Sequence, residues 1–293
     1  MPFPGVTLLL ISWSVGAMAF SAFPAYHRGC AARPTSMVRQ AKVKLVFRGD
    51  YSTQSDPLPP DTTLDDVSRF LAGEKNRDIF LSAGGTRSTR KLELTHTFEK
   101  YWHDACTHFS SSALPHNGDN DTIIAVDTQV KFPGVTLVTA TVSGIKERWS
   151  EPATQHPKQQ QRRLEGYEIL LIAERSKVRG VPAVVWLFNK LTGYDKREKE
   201  AYYPPKQTKA RSIIGSKVLT DGSLALTFEL DLQVTIEFPA LFLKILPASI
   251  EKMEAQGSRS ILQSVGPDID KAMKVAYDSF IEQHQSPSVP LSS

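Results

Sequence analysis

The stretch Leu224-Ala225-Leu226-Thr227-Phe228-Glu229-Leu230-Asp231-Leu232-Gln233-Val234-Thr235-Ile236-Glu237-Phe238 decides the fold. Its even-numbered residues are all apolar, while Thr227, Glu229, Asp231, Gln233, Thr235 and Glu237 are polar. A period of two marks a strand with one buried face and one wet face. Wet-faced strands belong to antiparallel sheets, because parallel sheets are covered on both sides. At about 3.3 Å per residue the stretch reaches ~50 Å, well beyond the usual strand. A strand this long must twist and curl.

Working outward, Asp221-Gly222 is a hairpin signal that pairs this strand with Ile213–Leu219. Upstream, Ile124, Val126, Val130 and Phe132 alternate within Thr122–Phe132, and Pro133-Gly134 turns the chain into Val135–Trp149. The apolar phase slips near Gly144, which predicts a bulge. Tyr167–Val178 reads as another strand, apolar on both faces around Ile169–Ile172. Val43–Arg48 opens the sheet.

Helices flank these strands. Thr62 or Thr63 caps a helix running to about Leu71, with Gly73 to end it. Residues 95–109 put Phe98, Tyr101, Trp102, Ala105 and Phe109 on one face. The last helix carries Leu262, Val265, Ile269, Ala272, Ala276 and Phe280 at spacings of three and four, with Pro267 expected to kink or restart it. Loops are expected at Ser110–Asp121, the Gln-rich Glu151–Arg163, and Tyr194–Thr208. One buried sheet face needs a cover, and the last helix is the large apolar one left to supply it. The expected fold is α+β, a helix-grip arrangement: a curled antiparallel sheet wrapped around a long C-terminal helix.

Chemistry-bearing clusters are sparse. His103 and Cys106 share a helix face, but His108 is off it and nothing completes a zinc set. Cys106 reads as a small hydrophobe of the aromatic stripe. Ser82-Ala83-Gly84-Gly85-Thr86-Arg87 matches neither a phosphate-cradling loop nor a dinucleotide fingerprint. No Gly-x-Ser-x-Gly elbow occurs. Glu229, Asp231 and Glu237 fall on the wet face, where solvation is their expected role. These residues predict no catalytic residue, no metal and no cofactor.

Three strings carry a resemblance: Val185-Trp186-Leu187-Phe188-Asn189-Lys190-Leu191-Thr192-Gly193, the turn Phe132-Pro133-Gly134, and the run Phe238-Pro239-Ala240 through Leu246-Pro247. They resemble an uncharacterised plastid and cyanobacterial family, the domain of unknown function numbered nineteen ninety-seven. The resemblance covers roughly Val43 to Gln283. It implies a START-like helix-grip fold with a cavity between sheet and C-terminal helix, and it brings no established activity. The wider superfamily implies an apolar-ligand pocket, although some of its members are enzymes. Trp186, Phe188, Phe228, Leu232, Ile269 and Phe280 are then the expected lining, and the small Ala272 and Ala276 leave room beneath the sheet. Core packing is the alternative role for all eight.

Segment 190–217 interleaves basic residues with Tyr194, Tyr202 and Tyr203. Tyr194, Lys196, Arg197, Tyr202, Tyr203 and Lys206 would suit an anionic thylakoid or envelope lipid surface, with rings at headgroup depth. The alternative is a solvated loop.

The N-terminal forty residues read as an address. An apolar run, Val6 to Ala17, is too short to span a bilayer. Ala17-Met18-Ala19 suits a signal peptidase, and Phe20 opens a stretch rich in Arg, Ser and Ala with no acid before Asp50. A signal peptide (1–19), a transit peptide-like segment (20–40) and Phe at the junction resemble the presequence of algae with secondary red plastids. The alternative is an ordinary secretory signal before a basic coil. One domain is expected over 41–285, and 286–293 is a Ser/Pro tail.

Arg28, Arg33 and Arg39 belong to the address, so 32 basic residues face 31 acidic ones in the rest. A near-neutral remainder gives no argument for nucleic acid. Cys106 alone remains after the address, so no intrachain disulfide is expected. The expected function is binding or transport of an apolar ligand (lipid, isoprenoid or pigment-like) in the plastid. The alternatives are an enzyme of the same fold acting on an apolar plastid metabolite and a thylakoid-associated assembly or scaffold protein.

Overall fold

The computed structural model describes residues 42–82, 84, 88–111, 114–115, 122–132, 135–150, 162–182, 185–186, 201–205, 208–239 and 249–285. The elements run β1 (Lys42–Gln54), α1 (Leu64–Ala72), α2 (Glu74–Leu81), β2 (Ser88–Leu92), α3 (His96–Phe109), β3 (Thr122–Phe132), β4 (Val135–Trp149), β5 (Leu164–Gly180), β6 (Thr208–Val218), β7 (Leu224–Pro239) and α4 (Ile250–Gln285). All seven strands form one antiparallel sheet in the order β1-β7-β6-β5-β4-β3-β2. With the long terminal helix against its concave face, this is the expected helix-grip fold of the α+β class.

Strand β7 is the spine. Its Leu226, Phe228, Leu230, Leu232 and Val234 are buried in the main core, while Glu229 and Asp231 are exposed on the convex face. Helix α4 lies over β1 and β7, toward one edge of the sheet. Outward-facing amides of edge strand β1 are satisfied by that helix: Val46 donates to Glu254 Oε1 at 2.7 Å and Arg48 to Ser258 Oγ at 3.1 Å. Such capping blunts an edge that would otherwise template pairing with another chain. Helix and strand approach closely where a Cβ on Gly257 would stand 2.2 Å from the Phe47 ring. The helix runs through Pro267 without a break.

Helix α1 starts on a capping box. Thr63 accepts from the Asp66 amide, and the Asp66 carboxylate accepts from the Thr63 amide at 2.9 Å. That second bond, after the Thr63 hydroxyl's bond to the same carboxylate, holds the Asp66 pKa below its ordinary value. Helices α1 and α2 close one end of the grip. Ser68 Oγ accepts from the Leu164 amide at 2.8 Å, and the Tyr167 hydroxyl donates to the Leu71 carbonyl. Phe70 meets Phe280 edge-on at 5.3 Å, and Asn76 and Gln283 tie α2 to α4 by paired amides.

Helix α3 covers the convex face instead. Trp102 and Cys106 join Ile123, Ala125, Val142, Leu170, Ile172 and Ala173 in a second core. The Trp102 indole lies on Gly144, where a Cβ would come within 2.6 Å of the ring. Among the described residues the sheet is therefore sandwiched at β3–β5 and covered on one face at β6, β7 and β1. The bulge falls where Gly144 predicts it, between Val142 and Ser143, but the extra residue is Ile172 on the facing strand. Helix α2 and strand β2 were not anticipated.

Candidate functional site

The site grows out of the central strands. On β5 the convex-side Leu170 and Ile172 are 0% exposed beneath α3. Their concave-side neighbours Ile169 and Leu171 stay partly exposed. So do Ser143 on β4 and Ala210 and Ser212 on β6, which lie on the same concave face by register. Ile169 and Ala210 pack against the main core yet, like Leu171, keep part of their surface uncovered in the middle of a seven-stranded sheet, so the described residues cover this patch incompletely. The floor spans three strands, about 10 Å, and two side chains along each, about 7 Å.

Its boundaries are sealed. Toward α1 and α2, Ile145, Tyr167 and Ile214 are each 1% exposed. On the β7 side stand Leu230 and Leu232, both buried. At the far end the wall turns polar, with Thr141, Glu174 and Thr208 each 7–8% exposed. Thr141 Oγ1 donates to the Val126 carbonyl at 3.4 Å. Thr208 Oγ1 is buried and has no hydrogen-bond partner among the described residues.

The bulge is what brings Glu174 here. Unbroken alternation from Leu170 would put residue 174 on the convex side under α3. Ile172 and Ala173 both pack convex, opposite Val142, so Glu174 turns inward across from Thr141. Arg175 turns outward and lies 4.8 Å over the Tyr202 ring. Backbone bonds of 2.8 and 2.9 Å between Glu174 and Tyr203 extend the sheet past the end of β6.

The expected lining residues separate. Leu232 borders the floor, opposite Ala210 in the register. Phe228 and Ile269 are buried in the main core. Phe280 belongs to the sealed end through Phe70. Ala272 lies beneath Gly84, whose Cβ would stand 3.8 Å from its Cα, and Ala276 is 0% exposed. Trp186 stands outside the grip at 62% exposure. Phe188, Tyr194, Lys196, Arg197 and Lys206 lie outside the described residues. Tyr202 is held by Phe98 at 5.6 Å and by Arg90, which donates to its hydroxyl at 3.1 Å. Ser143, Ile169, Leu171, Ala210, Ser212 and Glu174 were missed. The available signal was the two-faced apolar run at Ile169–Ile172, which needs covers on both sides.

A second depression, of about 340 Å³, lies on the convex face beside Asp50, Ser52, Arg211, Ile213, Glu229 and Asp231. Burial, then the charge of Asp50, raises the Asp231 pKa. Next to it Glu168, buried, accepts from Arg211 Nε and Ser111 Oγ, both at 2.6 Å. His103 and Glu165 are exposed. Burial, then the Glu168 charge, pushes the Cys106 thiol up to about 11, which keeps it protonated and unreactive. Among the described residues no group of three or more His, Cys, Asp or Glu is placed to hold a metal.

The strand order and the terminal helix define a helix-grip protein. No family model matches the chain, and no curated protein does. Among solved structures it is similar to the di-domain aromatase/cyclase StfQ of the steffimycin biosynthetic pathway, at 12% identity and a TM-score of 0.37, over 82% of this chain and 52% of that one. The chain thus spans about half of StfQ's length. It is also similar to the Zhui aromatase/cyclase from Streptomyces sp. R1128, at 10% identity and a TM-score of 0.37, over 83% and 98%. A conserved protein from Geobacillus kaustophilus follows, at 12% identity, 82% and 97% coverage and a TM-score of 0.32. At these values neither ligand nor reaction passes to this chain.

Proposed function

We propose that the protein binds an apolar molecule with a polar head on the concave floor of the grip. The observation that carries this is the partial exposure of Ile169 and Leu171 on a central strand whose other face is sealed. Burial of the ligand's apolar body against these residues supplies affinity. The polar wall of Thr141, Glu174 and Thr208 orients its head. Fluorescent fatty-acid titration tests the reading. The wild-type chain should take up probe, and Ala210→Phe, which fills the floor, should abolish uptake while leaving the melting temperature near wild type. Equal uptake by a folded Ala210→Phe variant would overturn it.

An enzyme is the second reading, favoured by one observation: a carboxyl group, Glu174, is buried on the ligand face. Incubation with an algal lipid extract followed by mass spectrometry separates the two. New products from wild type but not from Glu174→Gln support catalysis, whereas retained, unmodified lipid supports a carrier.

The protein's place of action, in this reading, is the plastid of an alga with a secondary plastid. The Ala19-Phe20 junction and the acid-free stretch to Asp50 support that address. The strings around Trp186 and Phe238 support kinship with the uncharacterised plastid and cyanobacterial family. Residues 1–40 fused to a fluorescent protein should reach the plastid of a diatom. Secretion of the Phe20→Ala fusion and plastid import of the parent would confirm the junction's role, and secretion of both would refute the address.

A further inference from the structure

At the end of β3–β5 distal to α1 and α2, the hairpin and the β5 terminus are rich in cations. Residues 128–142 and 175–186 hold Lys131, Arg175, Lys177 and Arg179 and not one Asp or Glu. The register brings these two segments together, because Val135 faces Gly180 and Lys131 faces Thr136, which in turn faces Arg179. Past the bulge, Lys177 and Arg179 share the outward face with Arg175, and both are exposed. The nearest acid by register is Asp127, in the row of Arg175 and Ala140. Arg175 is occupied by Tyr202, so Lys177 and Arg179 are the cations on offer.

Exposed apolar side chains stand directly beyond them. Val181 is 53% exposed and Trp186 62% exposed. The chain turns helically there, with the Val185 amide bonding the Val181 carbonyl at 2.9 Å. Pro182, also exposed, is four residues before Trp186 and therefore on the same side of that turn. An exposed indole beside exposed valine and proline, flanked by cations and with no acid in residues 175–186, has the chemistry of a bilayer interface. The ring seats at headgroup depth and the cations meet lipid phosphates.

We propose that this tip, presenting Lys177, Arg179, Val181, Pro182 and Trp186, docks the protein on an anionic lipid bilayer. It uses other residues than Tyr194, Lys196, Arg197, Tyr202, Tyr203 and Lys206, and it does not depend on what the concave floor binds. The occupant is argued from charge complementarity and from the amphipathic indole. Two cations at the bilayer surface strengthen binding about fivefold each, so reversing both should weaken it 25-fold or more.

The test uses the full chain with phosphatidylcholine vesicles, with and without phosphatidylglycerol as a third of the lipid. Brominated lipid reports the depth of Trp186 as the quenching seen in wild type minus that in Trp186→Phe. This difference is local and unaffected by the N-terminal apolar run. Quenching of Trp186 only on anionic vesicles, lost in K177E/R179E and kept in K217E/K252E, is the expected result. Equal loss in both double variants would reduce the effect to net charge and overturn the proposal. So would the absence of Trp186 quenching on either vesicle. Tight binding of an RNA oligonucleotide that depends on Lys177 and Arg179, with no vesicle binding, would assign the tip to nucleic acid instead.

Discussion

Leu170 and Leu171 are neighbours in the chain and opposites in environment, and replacing each by alanine tests the floor directly. Leu170 is 0% exposed between β5 and α3. Losing three buried carbons there removes about 2.4 kcal/mol of transfer free energy. The closed cavity left under Trp102 adds to this, for a total of about 3 to 4 kcal/mol. Leu171 is partly exposed on the concave face. Its truncation enlarges a side that is already partly uncovered, so no closed cavity forms and the loss should stay near 1 kcal/mol. Urea unfolding at constant slope reads the difference. About 2 kcal/mol between the variants, at a slope of about 3 kcal/mol per molar, separates their midpoints by roughly 0.7 M. The fatty-acid probe should bind Leu170→Ala as it binds wild type and bind Leu171→Ala with altered affinity. Equal destabilisation by the two substitutions would mean the concave side of β5 is as densely filled as the convex side, and the binding reading would fail with it.

Three further outcomes follow from local geometry. Gly144→Ala drives a methyl into the Trp102 ring, already 0% exposed. It should cost about 1 to 3 kcal/mol and shift tryptophan emission, and an unchanged melting temperature would contradict the packing. Arg211→Met leaves the buried Glu168 with Ser111 as its side-chain partner among the described residues. A loss of about 2 kcal/mol is expected, largely recovered in the Glu168→Gln/Arg211→Met double variant, and a strictly additive double variant would refute the coupling. Burial pushes the Tyr167 hydroxyl up to about 12. A raised folded-state pKa gives stability that is intact below pH 10 and lost as pH rises toward 12. Tyr167→Phe should flatten that alkaline loss in melting temperature, and an unaltered slope would exclude Tyr167 as its source.

What could be read from the sequence followed from one-sided burial. Strand β7 shows its alternation because one face is packed and the other polar, and the limits of β3, β4 and β7 lie within a residue of those expected. Thr63 and Gly73 bracket α1 as their chemistry requires. Strand β2, Ser-Thr-Arg-Lys-Leu, has no apolar period at all and exists because Ile123 to Asp127 offer it a partner. Helix α2 is largely polar and is placed by Phe80 and Asn76. The floor itself could not be read from periodicity. Its openness arises because α4 leans toward β1 and β7, a tertiary choice fixed by the Glu254, Ser258 and Gly257 contacts. Ile169 and Leu171 look like any buried strand residues until that lean is known.

Helix α3, braced against the back of β3–β5, governs how the grip can deform. With Trp102 wedged on Gly144 and Leu170 sealed behind, the strands under a ligand cannot bow away from it. For the proposed ligand the floor would act as an anvil, and the compliance needed to admit molecules of different girth would fall to the opposite jaw. Selection should therefore be strict for the ligand edge that meets Ile169 and Leu171 and tolerant for the edge that faces the helix. A homologous series branched on one side or the other would read that asymmetry as two different slopes of affinity against size.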